Sequence, residues 1–287
     1  IGILENRALH RNKTNFLKPG EPLFLAVGLV RPHVPLVAPE RLMNLYNSDN
    51  VSMPEFPRDD LDDVPEPNRK KANSTNHQMT PAQALEARAA YFACVTYMDE
   101  QVGRILDAVD RLGMRDNTVV VFISDHGWLL GEHDSWQKSN LFDPACRVPL
   151  IVRAPGFDKN AGKTVNAATE LIDLYPTFAD LAGLRDKAPE ILQGHSLVPL
   201  LEQPNRKDWV RDSSYTVLGS KKVVHNSIRS GQYRYSLYDG GEEELYDHQS
   251  DPEEFTNQAK NPEYAPAIGN LRKMIEERIS DAVSARD

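Results

Sequence analysis

The feature that most constrains the fold is a long amphipathic segment, residues 80–114, followed by a short apolar one, residues 116–125. In the first segment Thr80 suits a helix N-cap, Pro81 suits the first helical position and Gly113 suits the end. Apolar side chains recur there every three to four residues, which predicts a helix with one buried face. The second segment, DNTVVVFISD, predicts a strand, and a helix leading into a strand is typical of parallel α/β sheets.

Other segments extend the α/β pattern. The apolar run EPLFLAVGLV, residues 21–30, predicts a fully buried strand, CRVPLIVRAPG, residues 146–156, predicts another, and residues 169–184 predict a helix. Residues 47–80 are polar and proline-rich, and a loop of that length inside a compact protein is usually functional or mobile.

The sequence changes character near residue 205. Beyond about residue 213, short alternating segments separated by glycine turns predict a small antiparallel sheet, and PAIGNLRKMIEERI predicts a closing helix. We therefore expect residues 1–204 to belong to the main α/β domain and residues 205–287 to form a smaller C-terminal subdomain. A chain of 287 residues is long enough to bury a substantial core.

Charge and cysteine content argue against several classes of protein. The formal net charge is −9 and no basic stripe compensates for it, so general affinity for nucleic acid is not expected. No run of 18 apolar residues occurs, so no membrane span is predicted. The two cysteines, Cys94 and Cys146, do not make a disulfide framework.

Two ionisable residues stand at the end of a predicted strand. Asp125 and His126 directly follow the strand of residues 116–125, at the edge where open parallel sheets bind ligands. A carboxylate beside an imidazole can supply two ligands to a divalent metal ion. The alternative is that Asp125 caps the following turn and His126 is an ordinary loop histidine.

Lys138 and His33 are two further candidate site residues. Lys138 would be useful near a metal only if an anion such as sulfate or phosphate lay between the two cations, and its alternative is a solvated loop position, as for Glu132. His33 lies between Pro32 and Pro35, whose fixed φ angles would hold the imidazole in one direction. A rigid histidine suits general acid catalysis, and the alternative is an imidazole tucked against the sheet edge.

Several motifs in order resemble the type I sulfatases over essentially the whole chain. They are FLAVGLVRPHVPLVAPERLMNLY, the helix and strand that end in SDHGWLLGEHDSWQK, the strand RVPLIVRAPG and the late ELYDHQSDPEEFTNQA. RPHVP together with SDHGWLLGEH resembles the iduronate-2-sulfatase-like subgroup. The resemblance implies an alkaline-phosphatase-like α/β sandwich with a smaller C-terminal antiparallel sheet. It also implies hydrolysis of a sulfate ester with one calcium ion bound.

The same resemblance assigns roles to individual residues. Asp125 and His126 match the second pair of calcium-site residues of the family. Lys138 matches the lysine that contacts the sulfate, and His33 matches the active-site histidine near the leaving-group oxygen. His133 matches a nearby family histidine that either contacts the sulfate or supports the residues that do.

The chain departs from the family pattern at the nucleophile. Family members use a C/S-x-P/A-x-R signature whose Cys or Ser becomes formylglycine, whereas Cys94 is followed by VTYM and Cys146 by RVPL. The family's early Asp-Asp calcium ligands and first βαβ portion are also missing, and the chain begins without Met or a signal peptide. We therefore expect a C-terminal part of a sulfatase, inactive without an N-terminal part that supplies the formylglycine and the remaining ligands, in the same or a separate chain.

The subgroup points to a sulfated polysaccharide or oligosaccharide that contains uronic acid, and to an extracytoplasmic location. Contacts to a carboxylate or a second sulfate are expected from Arg31, His225, Arg229 and Arg234, and the alternative for such strand positions is plain solvation. A phosphatase or phosphonate hydrolase of the same superfamily is the alternative catalytic function. A non-catalytic sugar-binding fragment is the alternative outside catalysis.

Overall fold

The computed structural model describes residues 22–69, 79–220 and 222–284, together with Leu4. The chain divides into two compact units. The first comprises Ile1–Met53 and Met79–Thr118, and the second comprises Pro54–Gln78 and Val119–Asp287. The boundary expected near residue 205 lies inside the second unit and remains a prediction of a finer division.

In the described ranges three helices are followed by four short strands with one helix among them, then by two helices, and finally by a run of four strands and a closing helix. The helices are α1 Glu40–Met43, α2 Glu66–Arg69, α3 Pro81–Arg111, α4 Asp143–Cys146, α5 Leu174–Leu181, α6 Val198–Glu202 and α7 Ala265–Ser284. The strands are β1 Val120–Ile123, β2 Leu129–Leu130, β3 Trp136–Gln137, β4 Leu150–Arg153, β5 Ser213–Gly219, β6 Val224–Ser230, β7 Tyr233–Leu237 and β8 Glu243–Asp247.

Helix α3 dominates the first unit, and its predicted beginning is confirmed. The Thr80 hydroxyl accepts from the Gln83 backbone N–H at 3.3 Å, and the Gln83 side chain accepts from the Thr80 N–H at 2.8 Å. This reciprocal capping satisfies two backbone donors that the first turn would otherwise leave open. Helix α1 is tied to α3 by a bidentate ion pair between Arg41 and Glu100, with nitrogen–oxygen distances of 2.6 and 2.5 Å.

The strand predicted over residues 21–30 is wrong. Residues 22–30 belong to no sheet in the described part of the chain, and Phe24 and Val30 are 77% and 72% exposed. An apolar run becomes a buried strand only where a neighbouring strand exchanges backbone hydrogen bonds with it and a second layer covers its side chains. The described residues of the first unit include no such strand.

The strand predicted before Asp125 is confirmed as β1, but its pairing differs from the expectation. β1 pairs with β4 in antiparallel register, with Phe122 opposite Ile151, whereas a helix–strand unit predicts parallel neighbours. The chain between the two strands turns back through a tight hairpin and the short helix α4, so β4 returns along β1 in the opposite direction. Ile151 is 62% exposed on this two-stranded sheet.

The antiparallel sheet and closing helix predicted for the C-terminal region are confirmed. β5, β6, β7 and β8 form one sheet in that order, every neighbouring pair being antiparallel. Helix α7 covers one face of it through a buried apolar cluster made of Ile228, Tyr235, Leu245, Leu271 and Ile275. A second cluster, made of Val64, Leu129, Phe142, Ala145 and Tyr246, joins the hairpin region to the last strand of the sheet. Among the described helices, none combines the length and the apolar character that crossing a membrane requires.

Candidate active site

The turn after β1 is held by glycine. The Gly127 N–H donates to the Ala145 carbonyl and the Trp128 N–H to the Pro144 carbonyl, each at 2.9 Å. A Cβ at position 127 would stand 1.9 Å from the Pro144 oxygen, so only glycine allows this approach. The backbone that follows Asp125 and His126 is therefore fixed against helix α4.

Asp125 and His126 present two donor atoms to one point. The His126 Nδ1 lies 2.8 Å from the Gly127 carbonyl oxygen, which can only accept, so this nitrogen carries the proton. Nε2 is then the nitrogen with a lone pair in the neutral ring, and it lies 3.5 Å from Asp125 Oδ2. Asp125 is 86% exposed, so its carboxylate is open to an incoming ion.

Asp125 and His126 fit two positions in the ligand set of a divalent cation. A carboxylate oxygen suits a hard cation, and an imidazole nitrogen held in the correct tautomer by a backbone carbonyl is a normal companion ligand. Two ligands do not complete a site, and within the described ranges no third carboxylate, imidazole or thiol joins them in a cluster. The remaining ligands would have to come from elsewhere.

A short hairpin brings Lys138 to the same region. β2 and β3 pair Leu129 with Gln137 and Leu130 with Trp136, so the same register one position outward sets Trp128 opposite Lys138. The Lys138 ammonium indeed lies 6.0 Å from the centroid of the Trp128 ring. The His126 ring stacks against the same indole, with centroids 6.3 Å apart and planes 27° apart.

The Lys138 ammonium carries an unbalanced charge. Among the described residues, no carboxylate lies within 4 Å of it, and the ammonium lies over the Trp128 indole. An aromatic face attracts a cation without neutralising it, so the positive charge remains available to an anion. The Lys138 ammonium, next to the His126 ring, therefore marks a position that suits an anionic group.

His133 is placed behind this surface. It is 2% exposed, its Nδ1 lies 3.0 Å from Asp60 Oδ2, and its ring stacks on Phe142 with centroids 3.8 Å apart. Its backbone is left-handed, with φ of 52°, a conformation that a non-glycine residue adopts only when its surroundings enforce it. The buried His133–Asp60 pair thus fixes the turn of the hairpin.

His33 and Arg31 belong to the first unit. The Arg31 side chain donates to the backbone carbonyls of Val37 at 2.9 Å and His33 at 3.2 Å, and so closes the loop around the histidine. The His33 Nδ1 lies 2.7 Å from the Val34 carbonyl oxygen, which can only accept, so Nδ1 carries a proton and the ring is held in one orientation. A cavity of about 430 Å³ adjoins this loop and is lined by Leu29, Val30, Arg31, Tyr97, Met98 and Gln101.

Three polar residues predicted to contact the substrate, His225, Arg229 and Arg234, form hydrogen bonds within the C-terminal region. The buried His225 accepts from the Asp239 N–H at 3.2 Å, and Arg229 donates to the Tyr233 carbonyl at 3.3 Å and, more closely, to that of Gly231. Arg234 is 2% exposed and binds Glu254 through two nitrogens. Arg234 therefore cannot reach a substrate at the surface, and that expectation is wrong.

A second cluster of possible metal ligands, Asp143, His248 and Glu254, has a different character. Both Glu254 oxygens face Arg234, and they also meet the His248 Nε2 at 2.6 Å and the Asp143 N–H at 2.8 Å. Although burial opposes it, the Arg234 guanidinium holds the pKa of Glu254 at about 2. The guanidinium occupies the position that a cation would need, so this cluster is an internal ion-pair network.

Sequence reasoning missed Trp128 and Asp60. The register of the hairpin could have indicated Trp128, because WLL and SWQ flank a Gly-initiated turn of suitable length. Asp60 lies in the acidic run RDDLDD, 73 residues before His133, and no local signal distinguishes it from its neighbours.

Two family models match the chain. One described as Sulfatase matches residues 6–184, and one described as N-sulphoglucosamine sulphohydrolase, C-terminal, matches residues 131–281. Among curated relatives, a sulfatase of Formosa agariphila is 34% identical and the match covers 94% of this chain and 52% of that protein. Iduronate 2-sulfatase of Homo sapiens is 35% identical over 76% of this chain and 52% of that protein.

A solved structure supports the same fold. The phosphonate monoester hydrolase of Silicibacter pomeroyi is 28% identical with a TM-score of 0.78, and the match covers 88% of this chain and 55% of that one. The expected alkaline-phosphatase-like α/β fold with a small C-terminal antiparallel sheet is thereby confirmed. The chain spans about half the length of the curated relatives it matches. Its matched residues, its motifs and its fold agree, and the chain belongs to the sulfatase family.

Proposed function

We propose that this chain supplies one half of the active site of a sulfuric ester hydrolase. The observation that carries the proposal is the Lys138 ammonium, which lies over Trp128 beside His126 and is balanced by no carboxylate among the described residues. A fixed positive charge at such a position binds a sulfate group and stabilises the charge that develops on its oxygens during displacement.

Asp125 and His126 are proposed to hold one calcium ion together with ligands from outside this chain. The bound ion would act as a Lewis acid on the sulfate oxygens. The chain's own contribution is to set the ligand atoms in place: the Gly127 carbonyl fixes the His126 tautomer, and Nε2 and the Asp125 carboxylate then converge. The turn at Gly127 keeps both on the same rigid backbone.

His33 is proposed as the general acid that protonates the leaving alkoxide. Arg31 closes the loop around the histidine and the Val34 carbonyl accepts from its Nδ1, so the imidazole is held in one orientation, which suits this role. His133 is proposed to act indirectly, because its burial beside Asp60 lets it support the hairpin and not touch the substrate. Arg31, by its contacts, serves the His33 loop; a contact of His225 or Arg229 with substrate remains a prediction.

The nucleophile is proposed to be a formylglycine in an N-terminal part of the protein, within the same chain or as a separate one. Coverage of about half of each curated relative supports this proposal. So do the apolar side chains that the described residues leave exposed, such as Val30 in the first unit and Ile151 in the second. Without that part, the 287-residue chain is expected to show no turnover.

The substrate is proposed to be a sulfated carbohydrate that contains uronic acid, met outside the cytoplasm. Support comes from the matched model described as N-sulphoglucosamine sulphohydrolase, C-terminal, and from the relative named iduronate 2-sulfatase. A polyanionic substrate needs a locally positive site in a protein whose net charge is −9, and Lys138 begins to provide one.

A phosphonate monoester hydrolase is the second candidate, favoured by the likeness to the Silicibacter pomeroyi enzyme. The full-length protein should be assayed with an aryl sulfate, a 2-O-sulfated uronate disaccharide and an aryl phosphonate monoester. Preferred turnover of a sulfate ester supports the proposal, and preferred turnover of the phosphonate ester overturns it. Binding of the disaccharide with no turnover of any ester would instead indicate a non-catalytic sugar-binding protein.

The role of Lys138 is tested in the same assay. Lys138→Met should lower kcat/KM for the sulfate ester by about two to three orders of magnitude, as expected for loss of one charge-stabilising group. Lys159→Met, at an exposed lysine elsewhere in the second unit, is the matched control and should behave as the wild type.

A further inference from the structure

We propose that Trp128 is a positioning residue: its indole holds the Lys138 ammonium next to the His126 imidazole so that the ammonium faces an anion. The identity of that anion as sulfate rests on the proposed function. The geometric part of the inference does not, because it concerns only the contacts of one indole with two neighbouring side chains.

The lysine needs such a support. Its ammonium ends a stem of four methylene groups, and a side chain of that kind is mobile unless a partner orders it. Within the described part of the chain no carboxylate pairs with Lys138. The indole 6.0 Å from the ammonium is placed to restrict it, and a cation–π contact does so without cancelling the charge.

Trp128 is itself well fixed. Its backbone N–H donates to the Pro144 carbonyl at 2.9 Å, and the next residue, Leu129, is fully buried in the cluster with Phe142. The ladder pair of Leu129 with Gln137 then sets the register that brings Lys138 across from the indole. The ring is thus carried by a rigid backbone on both sides.

His126 meets the same ring. Its imidazole lies at 27° to the indole with centroids 6.3 Å apart, and its Nδ1 is bound to the Gly127 carbonyl. Stacking and the hydrogen bond together fix the plane of the imidazole and so the direction of Nε2. One aromatic residue therefore contacts both the Lys138 ammonium and the His126 imidazole.

The first measurement follows Lys138 directly. In the full-length protein, lysines are ¹³C-methylated and the Lys138 signal is assigned with Lys138→Arg. Trp128→Leu should move this signal to the position of freely exposed lysines, whereas Trp128→Phe, which keeps an aromatic face, should move it only part of the way. Trp209→Leu is the matched control, because Trp209 packs on His195 elsewhere in the second unit. An unchanged Lys138 signal in Trp128→Leu overturns the inference.

The second measurement is a double-mutant cycle for binding of inorganic sulfate, followed by calorimetry at fixed ionic strength. Trp128→Leu should weaken binding about three- to thirtyfold, the range of a cation–π contact expressed as a binding constant. Trp128→Phe should restore most of it, and Trp128→Leu should have no further effect in a Lys138→Met background. An equal loss in that background means that the indole touches the anion itself, which overturns the positioning role.

The two proposals fail in different ways. If Lys138→Met leaves sulfate binding and ester turnover unchanged, the proposed function of Lys138 is wrong, while the lysine signal still decides whether the indole holds it. If Lys138→Met weakens binding but Trp128→Leu matches the wild type in both measurements, the function stands and the positioning role is wrong.

Discussion

Asn68 donates its side-chain amide to the fully buried carboxylate of Glu244, 176 residues further along the chain, with nitrogen and oxygen 3.1 Å apart. The Tyr238 hydroxyl donates to the other oxygen at 2.8 Å. Helix α2 is thereby tied to strand β8. Burial raises the pKa of Glu244 to about 7, so this link contains an acid that titrates near neutral pH.

The raised pKa makes stability depend on pH in a defined direction. Below pH 4.5 Glu244 is protonated in both folded and unfolded states; above it the unfolded chain releases the proton while the folded chain keeps it until about pH 7. The free energy of unfolding should therefore fall by about 3 kcal/mol between those values, at roughly 1.4 kcal/mol per unit. Urea unfolding at several pH values should show this loss in the wild type and a flatter profile in Glu244→Gln. The exposed Glu242→Gln is the control, and a similar flattening there would contradict the assignment.

The Arg234–Glu254 pair should behave as a buried ion pair. Glu254→Gln leaves a buried guanidinium without its counter-charge and should cost about 3–5 kcal/mol in urea unfolding. Replacing both residues, as Arg234→Met with Glu254→Leu, should recover part of that loss because no charge remains buried. A double variant as unstable as the sum of the single ones would show that the cost lies in packing.

The low pKa of Glu254 predicts that the protein loses stability in acid. Although burial opposes it, Arg234 lowers the pKa of Glu254 from 4.5 to about 2, so its stabilising contribution is complete above pH 4.5 and is lost as the pH falls towards 2. Between those values the wild type should lose about 3 kcal/mol, and Glu254→Gln should lack this component. Parallel acid profiles of the two proteins would contradict it.

The His133–Asp60 pair should stabilise the hairpin. Asp60→Ala leaves the His133 nitrogen without its buried acceptor and should lower the free energy of unfolding by about 2–3 kcal/mol. Asp60→Asn keeps an acceptor oxygen and should cost less. The adjacent exposed Asp59→Ala should stay within about 0.5 kcal/mol of the wild type, and a comparable loss there would exclude a specific role for Asp60.

Gly127 and Gly103 should respond in opposite ways to alanine. At position 127 the new Cβ would lie 1.9 Å from a backbone oxygen, so Gly127→Ala must displace the turn and should abolish the proposed sulfuric ester hydrolysis by the full-length protein. At position 103, inside α3, no described atom outside the local backbone of the helix lies within 4 Å of the added Cβ. Gly103→Ala should therefore raise the free energy of unfolding by about 0.5–1 kcal/mol through helix propensity, and a loss would contradict this view of the helix.

Elements with local signals could be predicted from the sequence. Helix α3 carries its capping residues within its first turn, and the strands β5–β8 are marked by alternation and by turn residues between them. The segment 21–30 failed because its apolar character resembles that of a buried strand, although strand formation depends on neighbours that no local pattern encodes. The prediction of parallel neighbours for β1 failed for the same reason, since β1 pairs with β4 in antiparallel register.

The functional and supporting residues likewise divide into those that a local sequence motif marks and those that depend on distant partners. Asp125, His126 and Lys138 stand in a recognisable motif, whereas Asp60 and Glu254 act through partners 73 and 20 residues away. Arg234 shows the consequence, because an arginine in an alternating strand looks exposed until its buried counter-charge is known. Long-range ion pairs are fixed by the fold and not by spacing.

The hairpin between Leu129 and Gln137 also limits how the gene for this protein can change length. Side chains alternate between the two faces of a strand, so inserting or deleting one codon between Gly131 and Ser135 would shift the register and turn Lys138 away from Trp128. Only compensated changes, in which a lost residue is regained within the same turn, would preserve the pairing. The loop is therefore expected to tolerate substitution at exposed positions while its number of residues stays constant.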